Sequence, residues 1–273
     1  MKQINTKYRI YCLGLILALA PILNSCSEQN KEQQEKISKV WLIGDSTVAN
    51  YALESNYQGR RYPITVWGQV FQQFMTKDSL RQISQLVDAD SLIVDDRAKG
   101  GRSTRTFFQE GRWRAAYNEM QPGDLVLIQF GHNDAAVNKP ERYVNEEGYR
   151  EFLRLFVQQT REKEATPILI TPVARNYPWE NNHLENVHGN YPGAMKEVAS
   201  EMDVFLIDLN QLSMNSFSEK GREFVSKYYF MNLPAGIYEA YPEGQDDNTH
   251  FQPAGATEVA RLVFEGMKNI GKN

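Results

Sequence analysis

Short β-type apolar runs alternate with longer amphipathic stretches along most of the chain, and that alternation restricts the fold more than any other feature. The runs cover residues 40–43, 92–94, 125–130, 168–171 and 204–209. The stretches include residues 67–76, 104–119, 147–162 and 192–201, and a last helical pattern spans 253–268. Strands alternating with helices argue for a parallel sheet covered on both faces. The predicted fold class is therefore α/β, a three-layer α/β/α sandwich around a mostly parallel five-stranded sheet. In such sheets ligands bind beyond the carboxyl ends of the strands. Ser46 follows the first run and Asn133 the third, so both fall at one edge of the sheet.

The N-terminus reads as a targeting segment. Lys2, Lys7 and Arg9 precede an apolar stretch, residues 10–23, that is short and interrupted by Pro21. Such a segment suits a signal peptide better than a spanning helix. It ends in Leu23-Asn24-Ser25-Cys26, which resembles a bacterial lipobox; the alternative is plain secretion with an incidental cysteine. On this reading residues 1–25 are a lipoprotein signal peptide, Cys26 carries lipid, and polar residues 26–37 form a flexible tether. Residues 38–273 then form a single domain, exported and membrane-anchored on a periplasmic or cell-surface face. The other cysteine, Cys12, lies in the removed segment, so the domain has neither a disulfide nor a thiolate metal site. With a formal net charge of -4 and no dominant basic patch, nucleic acid is not an indicated partner. Nothing calls for an obligate protein partner.

Two long connections stand out. Residues 210–246 are poorly periodic and read as a binding loop or lid. Residues 173–191 carry Tyr177, Trp179, His183, His188 and Tyr191. Aromatics on a loop suit sugar stacking, or simply pack the loop down.

The chemistry starts at Lys39–Tyr51, KVWLIGDSTVANY, where an apolar run stops at Gly44 and hands Ser46 to solvent. A serine hydroxyl is a poor nucleophile without a base. His250 is a candidate base, and Asp247 three residues upstream is placed to hold its far ring nitrogen. Asp246 is a rival acid, and an ordinary loop histidine is the plain alternative for His250. Asp45 reads as a loop organiser, and Asp134 as a cap at the start of a turn or helix. His132, His183 and His188 match no common ligand spacing, so neither a metal nor a cofactor is indicated.

Four blocks, Gly44-Asp45-Ser46-Thr47, Gly100-Gly101-Arg102-Ser103, Gly131-His132-Asn133-Asp134 and Asp247-Asn248-Thr249-His250, together resemble the SGNH (GDSL-type) hydrolase superfamily. The likeness is greater to its rhamnogalacturonan acetylesterase-like branch, carbohydrate esterase family 12, and covers nearly the whole mature domain. It implies a flavodoxin-like sandwich and a Ser46–His250–Asp247 triad. It also implies an oxyanion hole from the Ser46 and Gly101 backbone N–H groups and the Asn133 amide. The implied activity is serine esterase deacetylation of plant polysaccharide such as pectin, with an acetylated polysaccharide or oligosaccharide as partner. Arg102, Tyr177, Trp179 and His188 are candidate substrate contacts. For Arg102, and for Arg105, a salt bridge near the active-site loop is the plainer reading. One departure concerns Asp96, which stands where the family usually has Asn; Arg97 or Lys99 is a candidate to neutralise it. Competing readings are an esterase of acetylated xylan, a lipid or a small acyl ester, and a non-catalytic glycan-binding surface lipoprotein.

Overall fold

The computed structural model describes residues 35–271. The signal peptide, Cys26 and most of the predicted tether lie outside the described residues. Strand β1 (Ile37–Gly44) already begins at the last tether position.

The central sheet joins β1 to β2 (Ser91–Asp96), β3 (Leu125–Gln129), β4 (Thr166–Ile170) and a later strand, β7 (Phe205–Ile207). Their order is β2-β1-β3-β4-β7, and every pairing is parallel. Side chains alternate across the sheet with a period of two. Val40, Leu42, Leu125, Leu127, Ile168 and Ile170 enter one core, with Trp67, Phe71, Val259 and Val263 from the helices on that face. Trp41, Ile43, Val126, Ile128 and Leu169 enter the other, with Phe107, Trp113, Leu153, Phe156 and Val198. Burial on both faces is why these strands read as apolar runs. The chain leaves β1 for β2 on one side and resumes with β3 on the other. The crevice past the ends of β1 and β3 is thus the switch point where such sheets hold ligands.

Three segments differ from their sequence reading. The stretch 104–119 is two helices, Thr104–Gln109 and Arg112–Glu119, broken at Gly111 with φ +70°. The stretch 210–246, read as a binding loop or lid, is largely regular structure: helices Leu209–Lys220 and Arg222–Tyr228, then β8 (Phe230–Leu233) pairing with β9 (Gln245–Phe251). Its periodicity is masked because the first helix buries Asn210 and Ser213 as well as Leu209 and Phe217. Those polar side chains serve the loop after β4: Asn210 Nδ2 donates to Pro172 O and Ser213 Oγ accepts from Ala174 N. Within 173–191, β5 (Trp179–Glu180) and β6 (His183–Leu184) form a two-residue hairpin. Asn181 and Asn182 turn it with φ +49° and +64°, as a primed turn requires.

Candidate active site

The end of β1 has no room for a side chain. A Cβ on Gly44 would lie 2.6 Å from Val48 Cγ2 and 2.8 Å from Gln129 O. The next residues make one helical turn, with Val48 and Ala49 N–H both donating to Asp45 O. The Asp45 carboxylate accepts from Thr47 N and from Thr47 Oγ1, each at 2.9 Å, an Asx turn as read from the sequence. Gln129 on β3 donates to the same hydroxyl at 2.7 Å. Burial raises the Asp45 pKa to about 6, with the Thr47 hydrogen bonds pulling the other way. Ser46 is the one partly exposed residue between buried Asp45 and Thr47, and its backbone N–H has no intramolecular partner among the described residues.

Two neighbouring loops supply further donors. Gly101 has φ +80°, a conformation that favours glycine, and its N–H is also unpartnered among the described residues. Asn133 Nδ2 donates one hydrogen to Arg102 O at 2.9 Å, while its Oδ1 accepts from Arg142 Nη1 at 3.1 Å. Since arginine only donates, that contact fixes which way the amide points and leaves its second N–H for a ligand. Asp134 ties the loops together: it accepts from Thr104 N, Thr104 Oγ1 and Gly131 N, so it caps a helix from another block as well as its own turn. Burial lifts its pKa to about 7, against the pull of the Thr104 hydrogen bonds.

The fourth block lies on β9, and the strand is irregular there. Met231 faces Asp247 while the preceding residue, Phe230, faces Phe251, so 248–250 loop out as a bulge. Asp247 Oδ1 accepts from Thr249 N and His250 N, and its Oδ2 lies 2.7 Å from His250 Nδ1. Burial pushes the Asp247 pKa up, but the hydrogen bonds and charge of His250 outweigh it and hold the carboxyl below its ordinary value. Asp246 is exposed and accepts instead from Asn248 Nδ2. An ionised Asp247 fixes the proton on His250 Nδ1 and leaves Nε2 as a base.

Ser46, Gly101, Asn133 and His250 line one cavity of about 460 Å³. Its charge is lopsided: Arg61, Lys99, Arg102, Lys139, Arg142 and Arg175 against Glu54 alone. Glu54 is shared by Arg61 at 3.0 Å and Lys99 at 3.7 Å, and Arg102 turns to Glu110. Arg142 reaches Glu141 only at 3.6 Å, and Arg175 bonds His132 and the Tyr177 hydroxyl rather than a carboxylate. Sequence reasoning missed Arg142 and Arg175. The available signal was position, since Arg175 lies just beyond the carboxyl end of β4.

A model of the GDSL-like Lipase/Acylhydrolase family matches residues 42–257. The chain belongs to this family. It is a carboxylic ester hydrolase by that membership. It is 39% identical over 233 residues to a Bacillus subtilis protein described as a probable rhamnogalacturonan acetylesterase, YesY, covering 85% of this chain and 93% of that one. It is 38% identical over 237 residues to the rhamnogalacturonan acetylesterase RhgT of the same organism, covering 87% and 92%. Among solved structures, YxiM of Bacillus subtilis superposes with a TM-score of 0.69 at 26% identity, over 87% of this chain and 58% of that one. The acetylxylan esterase Axe2 of Geobacillus stearothermophilus shares the fold, with a TM-score of 0.52 at 18% identity over 84% and 94%.

Family membership also frames the residues that differ from their sequence reading. His188, read as a candidate substrate contact, is 2% exposed, and its Nε2 lies 3.0 Å from His132 Nδ1. Arg175 Nε donates to that same His132 nitrogen at 3.3 Å, so Nδ1 is an acceptor and the His132 proton sits on Nε2. Burial depresses both histidines, His188 to about 3 and His132 well below its ordinary value. Trp179 is half-buried: it packs against the core and its indole N–H donates to Asn176, which holds the loop down. Tyr177 is 39% exposed and lines a groove beside the catalytic cavity. Arg105 binds the backbone carbonyls of Pro140 and Tyr143. His183 sits exposed on the β5–β6 hairpin.

Asp96 is not neutralised by its neighbours. Arg97 pairs with Asp95 and Glu119, and Lys99 with Glu54. Burial instead raises the Asp96 pKa well above the ordinary carboxylate range, which favours the neutral carboxyl. Its Oδ1 accepts from Ala98 N, and the backbone N–H of Asn50 also faces the buried carboxyl. A neutral carboxyl has nearly the shape of an Asn amide.

Proposed function

We propose that this esterase removes acetyl groups from a uronate-bearing plant polysaccharide of the rhamnogalacturonan class, through an acyl-enzyme on Ser46. The observation that carries the substrate class is the cationic wall around Ser46 and His250, six cations against one carboxylate in a chain of net charge -4. A polyuronate is drawn to such a wall and a neutral xylan is not. The two Bacillus relatives point the same way. In the mechanism, His250 Nε2 takes the Ser46 hydroxyl proton as Oγ attacks the acetyl carbonyl carbon. The Ser46 and Gly101 N–H groups and the free Asn133 N–H receive the oxyanion. Collapse breaks the bond to the sugar oxygen, which leaves with the proton held on His250. Water, deprotonated by His250, then attacks the acetyl-enzyme and releases acetate. Asp247 stabilises the imidazolium throughout.

Acetate release from acetylated rhamnogalacturonan and from acetylxylan tests this reading. Release at least tenfold faster from the pectic polymer supports it. Equal rates, or preference for xylan, contradict the substrate assignment.

Cys26 is proposed as the lipid attachment site, on the strength of the sequence from Lys2 to Cys26. The full chain then partitions with membranes and incorporates labelled palmitate, and Cys26→Ala abolishes both. Equal partitioning of the variant contradicts the anchor.

A further inference from the structure

A second, larger concavity adjoins the catalytic cavity, and the chemistry already described does not use it. It measures about 1710 Å³ and is walled by the helix Arg222–Tyr228, the β8–β9 hairpin and the loop after β4. Pockets for small ligands run to roughly 1,000 Å³, so the space suits a chain better than a single small molecule.

The two spaces share one wall. Arg175 faces the catalytic cavity while Asn176 and Tyr177 face the groove; Thr249 and His250 face the cavity while Asn248 faces the groove. That wall is firmly built. Asn176 N donates to Asn248 O at 2.9 Å, and Asn176 Nδ2 donates to Asn248 Oδ1 at 2.7 Å. Arg175 Nη1 donates across it to the Tyr177 hydroxyl at 2.8 Å. A polysaccharide held with its acetyl ester at Ser46 can continue from the catalytic cavity over this ridge.

The groove surface suits a sugar chain. Phe224 and Tyr228, one helical turn apart, are 42% and 46% exposed, with ring centroids 4.9 Å apart. Exposed aromatics side by side on one face mark a contact surface. Lys227 lies over the Tyr228 ring at 5.2 Å, and Lys220 and Arg222 line the same groove. None of these three cations forms an ion pair among the described residues, although Glu223 and Asp246 also line the groove. In its wall, Asn232 gives its amide hydrogens to Ser226 and Asn248, leaving Oδ1 buried without a donor. A buried acceptor of this kind is normally satisfied, and a sugar hydroxyl can do it.

We infer that this groove is a binding site for the stretch of acidic polysaccharide flanking the acetylated residue, its aromatics taking sugar faces and its cations uronate carboxylates. The inference rests on the deacetylase reading for the identity of the glycan. Calorimetry on the full chain carrying Ser46→Ala, with unacetylated rhamnogalacturonan oligosaccharides of two and ten residues, tests it. A decamer xylo-oligosaccharide is the neutral control. The acidic decamer binds at least tenfold tighter than the dimer and than the neutral control. Adding Tyr228→Ala, or Lys220→Ala with Lys227→Ala, weakens the acidic decamer roughly five- to tenfold. All the substituted side chains are exposed, and unchanged melting transitions show that the variants fold. Decamer affinity equal to that of the dimer or the neutral control overturns the inference, as does groove-variant affinity equal to the parent. Acetate release by the wild-type chain is scored separately. If it is absent while length-dependent binding persists, the deacetylase reading falls and the groove stands.

Discussion

The Asp247 carboxylate reaches the His250 ring, 2.7 Å from Oδ2 to Nδ1, across a bulge in a β-strand. In a regular strand, residues three apart point to opposite faces and cannot meet. The other carboxylate oxygen holds the bulge, accepting the N–H groups of Thr249 and His250 at 2.8 and 3.0 Å. One side chain thus shapes the backbone and orients the base.

These two jobs separate by substitution. Asp247→Asn keeps an oxygen for the bulge but offers an N–H to His250 Nδ1, forcing the wrong tautomer. Its kcat falls by roughly 10³- to 10⁴-fold with little change in stability. Asp247→Ala loses the bulge as well, at a further stability loss of about 1–2 kcal/mol. Ester kinetics and urea denaturation of both variants check this; equal stability of the two variants contradicts it.

Asp96→Asn is predicted to stabilise the protein, increasingly as pH rises. The folded pKa of Asp96 lies above its unfolded value, so its contribution is full below about pH 4 and is lost as pH rises toward the folded value. Asn has no such loss and keeps the acceptor for Ala98 N. The variant's advantage is small near pH 4 and grows by about 1.4 kcal/mol per pH unit above it, up to the folded pKa. Denaturation midpoints at pH 4.5 and 7.5 measure it, and an advantage independent of pH contradicts it.

His188 has the opposite sign. Its folded pKa of about 3 lies below the unfolded value, so its stabilising contribution is full above about pH 6.5 and is lost as pH falls toward 3. Between pH 6.5 and 5.0 that loss is about 1.6 kcal/mol. Asp45 and Asp134 titrate in the other direction over part of this range, so the wild-type curve alone does not isolate the term. The difference between wild type and His188→Gln removes the carboxylate contributions, leaving those of His188 and of the His132 it helps depress, and it shrinks on acidification.

Arg142 braces Asn133 through the 3.1 Å contact to Oδ1. Arg142→Met therefore lowers kcat even on a small neutral ester, on the order of ten- to a hundredfold, because an amide donor that swings loses its aim. Salt gives the complementary signal in the wild-type chain. Raising ionic strength from 0.01 to 0.5 M lowers kcat/KM on the uronate polymer and leaves p-nitrophenyl acetate unaffected. Parallel salt curves contradict the role given to the cationic wall.

The strands and the serine elbow were legible because their signals are local. An apolar run that ends at Gly44 and exposes Ser46 shows in a dozen residues, and the runs at 125–130 and 168–171 show in six or fewer. What was not legible depends on distance in the chain. Arg142 and Arg175 belong to no motif: Arg142 folds back on Asn133 within the connection after β3, and Arg175 comes to His132 from the loop after the next strand. The helix at Leu209–Lys220 hid because Asn210 and Ser213 are buried to satisfy a loop nearly forty residues away. His188 and Trp179 looked like loop residues free to touch sugar. Whether a loop side chain faces in or out is decided by its partners, here His132 and Asn176. Asp96 reads as a charge because burial, which favours its neutral form, is not visible in sequence.

The central claim is that Ser46 carries the acyl group. Mixing enzyme with excess p-nitrophenyl acetate, quenching in acid within milliseconds and mapping the peptides by mass spectrometry tests it most directly. The account predicts one acetyl group on Ser46, a matching burst of p-nitrophenol, and loss of both in Ser46→Ala. Turnover that persists in Ser46→Ala, or an acetyl group trapped on another residue, would contradict it.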